Sequence, residues 1–128
     1  MNIYQEHILD HYSNPRNKGT IENPDIYYRD TNPLCGDEVA IFAKLNENKV
    51  HQISFLAKGC AISQASASIL SEHAKGKGIE ELYKITSEEM IELLMIPISP
   101  ARLKCAVLPI KTFQAGIMTY KSRKNGNT

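Results

Sequence analysis

The chain lacks the features that identify several common kinds of functional site. No two cysteines are spaced as C-x-x-C, so the pattern does not fit a zinc finger, whose ligands typically come in such pairs. No glycine-rich phosphate loop is present, which argues against nucleotide binding. The net charge is only +1, so composition gives no reason to expect a nucleic-acid partner.

The chain also has no long apolar run and no leader with a charged start, an apolar middle and a cleavage site. We therefore expect no membrane partner and a cytoplasmic protein. Its 128 residues, 42% hydrophobic and 23% charged, fit a single globular domain, 1–128, whose core needs no disulfides. Three cysteines in such a protein should be reduced thiols, because disulfides are rare in the cytoplasm.

Three cysteines far apart in sequence are the most informative residues that are present. Cys35, Cys60 and Cys105 each lie beside glycine or lysine, and Asp37 follows the first by two residues. A lone cysteine is most often a core residue, but three in such surroundings favour a shared site. Three thiolates and one carboxylate make a tetrahedral ligand set suited to Zn²⁺ or an iron–sulfur cluster. Because the oxygen ligand is weakly held, this ligand set favours a site that releases and transfers the metal or cluster it binds.

The middle of the chain predicts an antiparallel sheet of three consecutive strands with one buried face. The first strand is short, 26–30, and a polar turn at 46–49 separates the other two. Alternating residues mark the buried face of these two strands: Val39, Ile41, Ala43 and Leu45, then His51, Ile53, Phe55 and Ala57. His51 is therefore expected to be a core or sheet-face residue and not a ligand.

Helical patterns flank the sheet. We expect helices over Asn2–Tyr12, over Ala61–Lys75, and after the capping-box pattern that starts at Thr86. Tyr4, Ile8 and Tyr12 should share the buried face of the first helix. The last helix should bury Ile110, Phe113, Ile117 and Tyr120, and the polar tail 121–128 should fray.

Pro109 conflicts with an unbroken last helix, because an internal proline costs about 3 kcal/mol or forces a kink. We expect a bend there or a separate first turn around Cys105. Cys60 should lie where the third strand gives way to a helix, whose positive N-terminal end favours a thiolate. Arg102 and Lys104 add positive charge beside Cys105.

Histidines offer weaker candidates. His7 and His11 are four residues apart on one helix face, as a metal pair could be, but no zincin pattern surrounds them and a packing role is favoured. No histidine flanks a cysteine, so nothing local supports a Cys–His–Asp catalytic triad.

Four motifs in order resemble those of the IscU/SufU/NifU N-terminal family of iron–sulfur cluster assembly scaffolds. They are the segments 10–17, 32–37, 59–63 and 102–105, with sequences DHYSNPRN, NPLCGD, GCAIS and RLKC. The resemblance implies an α+β fold, a three-stranded antiparallel sheet packed by about four to six helices in a single compact domain.

The resemblance also implies roles for residues. Cys35, Asp37, Cys60 and Cys105 would hold a [2Fe–2S] cluster or iron, or Zn²⁺ when no cluster is present, with Asp37 as the labile ligand. Sulfur would come from a cysteine desulfurase and the product would go to apo iron–sulfur proteins. We choose Cys105, with Lys104 beside it, as the acceptor of persulfide sulfur. Tyr4 matches a tyrosine used in self-association, which would make a homodimer, although packing on the core explains it equally well.

Two departures from the family pattern leave the branch open. IscU-type members have histidine at the position of Lys104. The absence of this histidine resembles the SufU-type zinc-dependent sulfurtransferases, yet the insertion of about twenty residues typical of that branch is missing. The segment 98–102 matches poorly the segment that IscU-type members present to an Hsp70-type chaperone, so that partner is doubtful. A scaffold, a zinc-dependent sulfurtransferase and a structural zinc domain are the competing functions; whether the protein is an enzyme stays open.

Overall fold

The computed structural model describes residues 3–34 and 36–126, and the side chains of residues 5–34 and 36–124. Cys35, the predicted helix start Asn2 and the side chain of Tyr4 lie outside this part of the chain. The elements run in the order α1 (Ile3–Ser13), β1 (Ile26–Asn32), β2 (Asp37–Asn46), β3 (Lys49–Lys58), α2 (Ala61–Ala74), α3 (Ile79–Tyr83), α4 (Ser87–Leu94), a 3₁₀ turn (Pro100–Arg102) and α5 (Leu103–Gly126).

The three strands form one antiparallel sheet in the order β1-β2-β3. The predicted α+β class, with three antiparallel strands and four to six helices, is thus confirmed. The predicted alternation is confirmed for β2, where Val39, Ile41 and Ala43 are buried. Helices α2 and α5 cover this face. Gly116 lets α5 approach β1 closely, since a Cβ there would lie 2.8 Å from Ile26 Cγ2.

His51 is the exception to the predicted alternation. The side chain is exposed, while Val50 beside it is 1% exposed and belongs to the core. The cause is a register shift, because Lys44 pairs with Gln52 and Leu45 pairs with Val50, which leaves His51 as an extra residue in β3. The prediction that His51 shares the inward face of β3 with Ile53 and Phe55 was therefore wrong.

Helix α1 buries Ile8 as predicted, but His11 and not Tyr12 shares its buried face. Ile8 and His11 are buried, whereas Tyr12 is 42% exposed. His11 Nδ1 lies 2.7 Å from Ser68 Oγ in α2, and its Nε2 lies 3.4 Å from Glu72 Oε1. The packing role expected for His11 is confirmed, and the place of Tyr12 on the buried face was wrong because the polar contacts with α2 are made by His11.

Acid should destabilise the protein through His11. Burial, reinforced by Arg16 and His7, lowers the pKa of His11, so the folded state binds its proton less readily than the unfolded chain. Stability from this residue is complete above about pH 6.5, the unfolded value, and is lost as the pH falls towards the lower folded value. Burial also lowers the pKa of His73. Urea unfolding at pH 7.5 and 5.5 should therefore show a smaller acid loss for His11→Gln, and an unchanged loss would contradict this assignment.

Small side chains let α2 pack closely on its neighbours. Ser63, Ser66, Ser68 and Ser71 are all buried, and each hydroxyl has a hydrogen-bond partner. Ser66 Oγ donates to the Ala106 carbonyl at 2.6 Å, which ties α2 to the first turns of α5. This contact holds the amino-terminal ends of the two helices side by side.

Pro109 lies inside α5, which is one helix from Leu103 to Gly126. The predicted separate turn around Cys105 was wrong, because the 3₁₀ turn Pro100–Arg102 precedes the continuous helix that contains Cys105. Pro109 has no N–H, so it cannot donate the usual helical hydrogen bond to the residue four positions before it. Any disturbance of the helical hydrogen bonds therefore lies in the first turns of α5. The helix continues to Gly126, so the polar tail is helical up to that residue.

The predicted capping box at the start of α4 is confirmed. Thr86 Oγ1 accepts from Glu89 N, and Glu89 Oε1 accepts from Thr86 N, both at 3.1 Å. Among the described residues, no helix combines the length and apolar character needed to cross a membrane.

Candidate metal centre

Asp37, Cys60 and Cys105 come together at one end of the sheet. One ligand atom of each, a carboxylate oxygen and two sulfurs, lies within 4.8 Å of the others. Two sulfurs bound tetrahedrally to one zinc at ~2.3 Å would lie about 3.8 Å apart. The distances therefore suit one metal ion with modest adjustment, and the donors are of the kind that zinc and iron prefer.

Asp37 is the first residue of β2 and is 1% exposed. Its Oδ1 accepts a hydrogen bond from the backbone N–H of Cys60 at 2.9 Å, and its Oδ2 lies 3.8 Å from Cys60 Sγ. The carboxylate thus fixes the point where β3 passes into α2. It is held in place by the same segment that supplies the neighbouring ligand.

Cys60 lies between the end of β3 and the start of α2, as the sequence predicts, and its thiol is partly exposed. It is the N-terminal cap of α2 but caps no N–H with its side chain. The sulfur is 3.8 Å from Ser63 Oγ, and that hydroxyl donates to the Cys60 carbonyl at 3.1 Å. The side chain is consequently available to the site, at the positive end of the helix dipole.

Gly59 allows the close approach of the strand end to Asp37. It has φ +115°, a backbone conformation that other residues rarely adopt, and a Cβ there would lie 2.2 Å from Asp37 Oδ1. A glycine is needed here both for its backbone conformation and for the space that the carboxylate occupies.

Cys105 is in the first turn of α5 and is fully buried. The 3₁₀ turn before it is closed by a hydrogen bond from Arg102 N to the Ser99 carbonyl at 2.9 Å. This turn directs the exposed Arg102 side chain to the thiols. Hydrogen bonding to Cys105, followed by the charge of Cys60, raises the pKa of the Arg102 guanidinium.

The two basic residues predicted beside Cys105 thus differ. Arg102 interacts with both Cys105 and Cys60, so it brings positive charge to the site. Lys104 is exposed at the start of α5, and its role in sulfur acceptance stays a prediction. From the sequence we could predict only that Arg102 adds positive charge near Cys105. Its interaction with Cys60 could not be predicted, because the two residues are 42 positions apart.

The match to known proteins agrees with this geometry. The family model for the NifU-like N-terminal domain matches residues 3–127. The chain belongs to this family. The chain is 38% identical over 124 residues to the iron–sulfur cluster assembly scaffold protein IscU 1 of Archaeoglobus fulgidus, covering 97% of this chain and 80% of the relative.

Two further relatives represent the SufU branch. The zinc-dependent sulfurtransferase SufU of Bacillus subtilis is 39% identical over 132 residues, covering 90% of this chain and 89% of the relative. This aligned length exceeds the 128 residues of the chain, so the relative has residues that this chain lacks. A solved structure of a proposed scaffold protein for the SUF system from Fervidobacterium islandicum superimposes with a TM-score of 0.77 at 30% identity, covering 90% of this chain and 96% of the other.

Proposed function

We propose that this protein is a scaffold on which a [2Fe–2S] cluster is assembled and from which it passes to apo-proteins. The observation that carries the proposal is the convergence of Asp37, Cys60 and Cys105 within 4.8 Å. Cys35 would be the fourth ligand. The relatives named as scaffolds support the assignment.

The site residues would have distinct roles. Cys35, Cys60 and Cys105 would bind iron or the cluster through thiolates, the ligands that iron–sulfur clusters use. Asp37 would be the exchangeable ligand, because a carboxylate oxygen binds these soft centres less strongly than a thiolate. When no cluster is present the same four residues would hold Zn²⁺, for which thiolates and a carboxylate also fit.

Sulfur would come from a cysteine desulfurase in the cytoplasm. In this step a thiolate of the scaffold attacks the outer sulfur of the enzyme's persulfide, forms a new S–S bond and releases the enzyme's thiolate. Cys105 remains our choice of acceptor. Because it is fully buried while Cys60 is partly exposed, transfer to Cys105 requires a local movement that exposes its thiol.

Anaerobic reconstitution with iron, cysteine and a desulfurase tests this function. We expect a coloured cluster that passes to an apo-ferredoxin in a transfer assay. A protein that retains zinc and never yields a transferable cluster would refute the proposal.

A zinc-dependent sulfurtransferase that stimulates a desulfurase is the second candidate. Lys104, in the position where IscU-type members have histidine, favours it, as does the similarity to the Bacillus relative. Removal of zinc should then abolish the stimulation. Full stimulation by the zinc-free protein would exclude this function.

Arg102→Ala should slow the reaction of the site thiols with electrophiles severalfold in the metal-free protein. Its guanidinium contacts Cys105 and Cys60, and a hydrogen bond from a cation stabilises a thiolate more than a thiol. The measurement is the rate of iodoacetamide labelling at Cys60, followed by mass spectrometry. Lys104→Ala is the matched control, since it removes a neighbouring positive charge and is expected to change the rate little. Equal slowing in both variants would contradict a specific role for Arg102.

A further inference from the structure

Asn32 presents a polar group that the fold itself does not use. It is the last residue of β1, and its side chain is 7% exposed. The amide nitrogen Nδ2 is buried and has no hydrogen-bond partner among the described residues. Buried polar groups are nearly always paired, so an unpaired one calls for an explanation. The backbone carbonyl of the same residue is used, since it accepts from Gly36 N at 2.9 Å.

The sheet pairs Asn32 with one residue of the candidate metal centre. Asn32 pairs directly with Asp37 in the register of β1 and β2. Opposite residues of an antiparallel pair project from the same face, with Cβ atoms about 4.5–5.5 Å apart. Asp37 projects towards Cys60 and Cys105, so we expect the Asn32 side chain to project to the same side as the candidate ligands.

The surroundings indicate what kind of partner the amide would take. Asp37 Oδ1 is already bonded to Cys60 N, and Asp37 Oδ2 lies next to Cys60 Sγ. An N–H donor in this position suits an acceptor that arrives with the bound species. Metal-bound thiolates and cluster sulfides carry negative charge and accept such hydrogen bonds, which also tune the properties of the centre.

We infer that Asn32 is a positioning residue whose side-chain amide donates a hydrogen bond to a sulfur atom of the metal-bound site. The inference rests on the proposed function, because it needs a metal or cluster held by Asp37, Cys60 and Cys105. The inference goes beyond the proposed function because Asn32 is not itself a metal ligand. A role confined to packing of the fold would make the opposite prediction for the metal-free protein.

The test compares Asn32→Leu and Asn32→Ala with the wild-type chain in two measurements. Zinc affinity, from competition with a chromophoric chelator, should fall about tenfold in both variants, as expected for loss of a hydrogen bond to a charged group. Urea unfolding of the zinc-free protein should show that Asn32→Leu is as stable as the wild type or more so, because an unpaired buried donor is removed.

Ser54→Ala is the matched control. Ser54 is also a buried strand residue whose side chain, at Oγ, has no partner among the described residues, but it lies between Ile53 and Phe55 and thus on the opposite face of the sheet. It should leave zinc affinity unchanged.

Two results would overturn the inference. One is zinc affinity within about twofold of the wild type in both Asn32 variants. The other is a loss of affinity accompanied by destabilisation of the zinc-free Asn32→Leu protein, which would make the role structural. Wild-type protein that binds no zinc would instead refute the proposed zinc-bound form of the site, and this inference with it; failure of the proposed function would appear separately, as the absence of a transferable cluster.

Discussion

Gly59→Ala should destabilise the protein by about 3 kcal/mol and abolish metal binding. A methyl group at this position would lie 2.2 Å from Asp37 Oδ1 and 2.8 Å from Asp37 Cα. The second of these atoms is backbone, so the strand end or β2 has to move. Either movement breaks the hydrogen bond from Cys60 N to Asp37 and separates the ligands.

Gly76→Ala is the matched control, which separates the backbone strain of an alanine at positive φ from its steric clash with Asp37. Gly76 also has a positive φ, +86°, but nothing lies within 4 Å of a Cβ placed there. It should cost about 1–2 kcal/mol of backbone strain and leave zinc affinity intact. Urea unfolding and zinc competition on both variants make the comparison. If Gly59→Ala binds zinc as well as Gly76→Ala does, the close approach of Gly59 to Asp37 does not shape the site.

Asp37→Ala should fold, lose about 1–3 kcal/mol of stability and hold its cluster longer than the wild type. The loss follows because the substitution leaves the N–H of Cys60 without its carboxylate acceptor. The slower release follows because the exchangeable oxygen ligand is gone and the thiolates remain. The measurements are urea unfolding of the metal-free protein and the rate of cluster transfer to an apo-ferredoxin.

Asp37→Asn distinguishes the structural effect from the effect on the ligand set. An amide oxygen can still accept from Cys60 N, so stability should return towards the wild-type value, while the charged ligand stays absent. An Asp37→Ala protein that cannot fold even with metal supplied would favour a structural zinc domain, since structural sites supply folding free energy.

The parts of the fold that local patterns determine were predictable. Alternation in β2 and the Thr86–Glu89 capping box both depend on neighbouring residues, and both are confirmed. The two incorrect predictions, for His51 and Tyr12, have causes that lie far away in the sequence. His51 is exposed because the pairing of β2 with β3 shifts by one residue, and Tyr12 is exposed because His11 finds its partner in α2, 57 positions away.

In the candidate site too, features set by neighbouring residues were predictable and those set by distant contacts were not. The sequence places Cys60 and Cys105 at the starts of helices, and the structure brings both beside Asp37. The supporting contacts could not be predicted. Arg102 in the 3₁₀ turn interacts with Cys60, 42 positions away, and Asn32 of β1 pairs with Asp37 of β2. The short helix α3 has only five residues, too few for a helical period to show in the sequence.

Titration of the reduced protein with Co²⁺ tests the central claim most directly, because thiolate-to-cobalt charge-transfer bands report the number of sulfur ligands. We expect one Co²⁺ per chain in a tetrahedral site with three thiolates. The bands should weaken in each of Cys35→Ser, Cys60→Ser and Cys105→Ser. A spectrum that is unchanged in any one of these variants, or a wild-type spectrum without thiolate bands, would contradict the account.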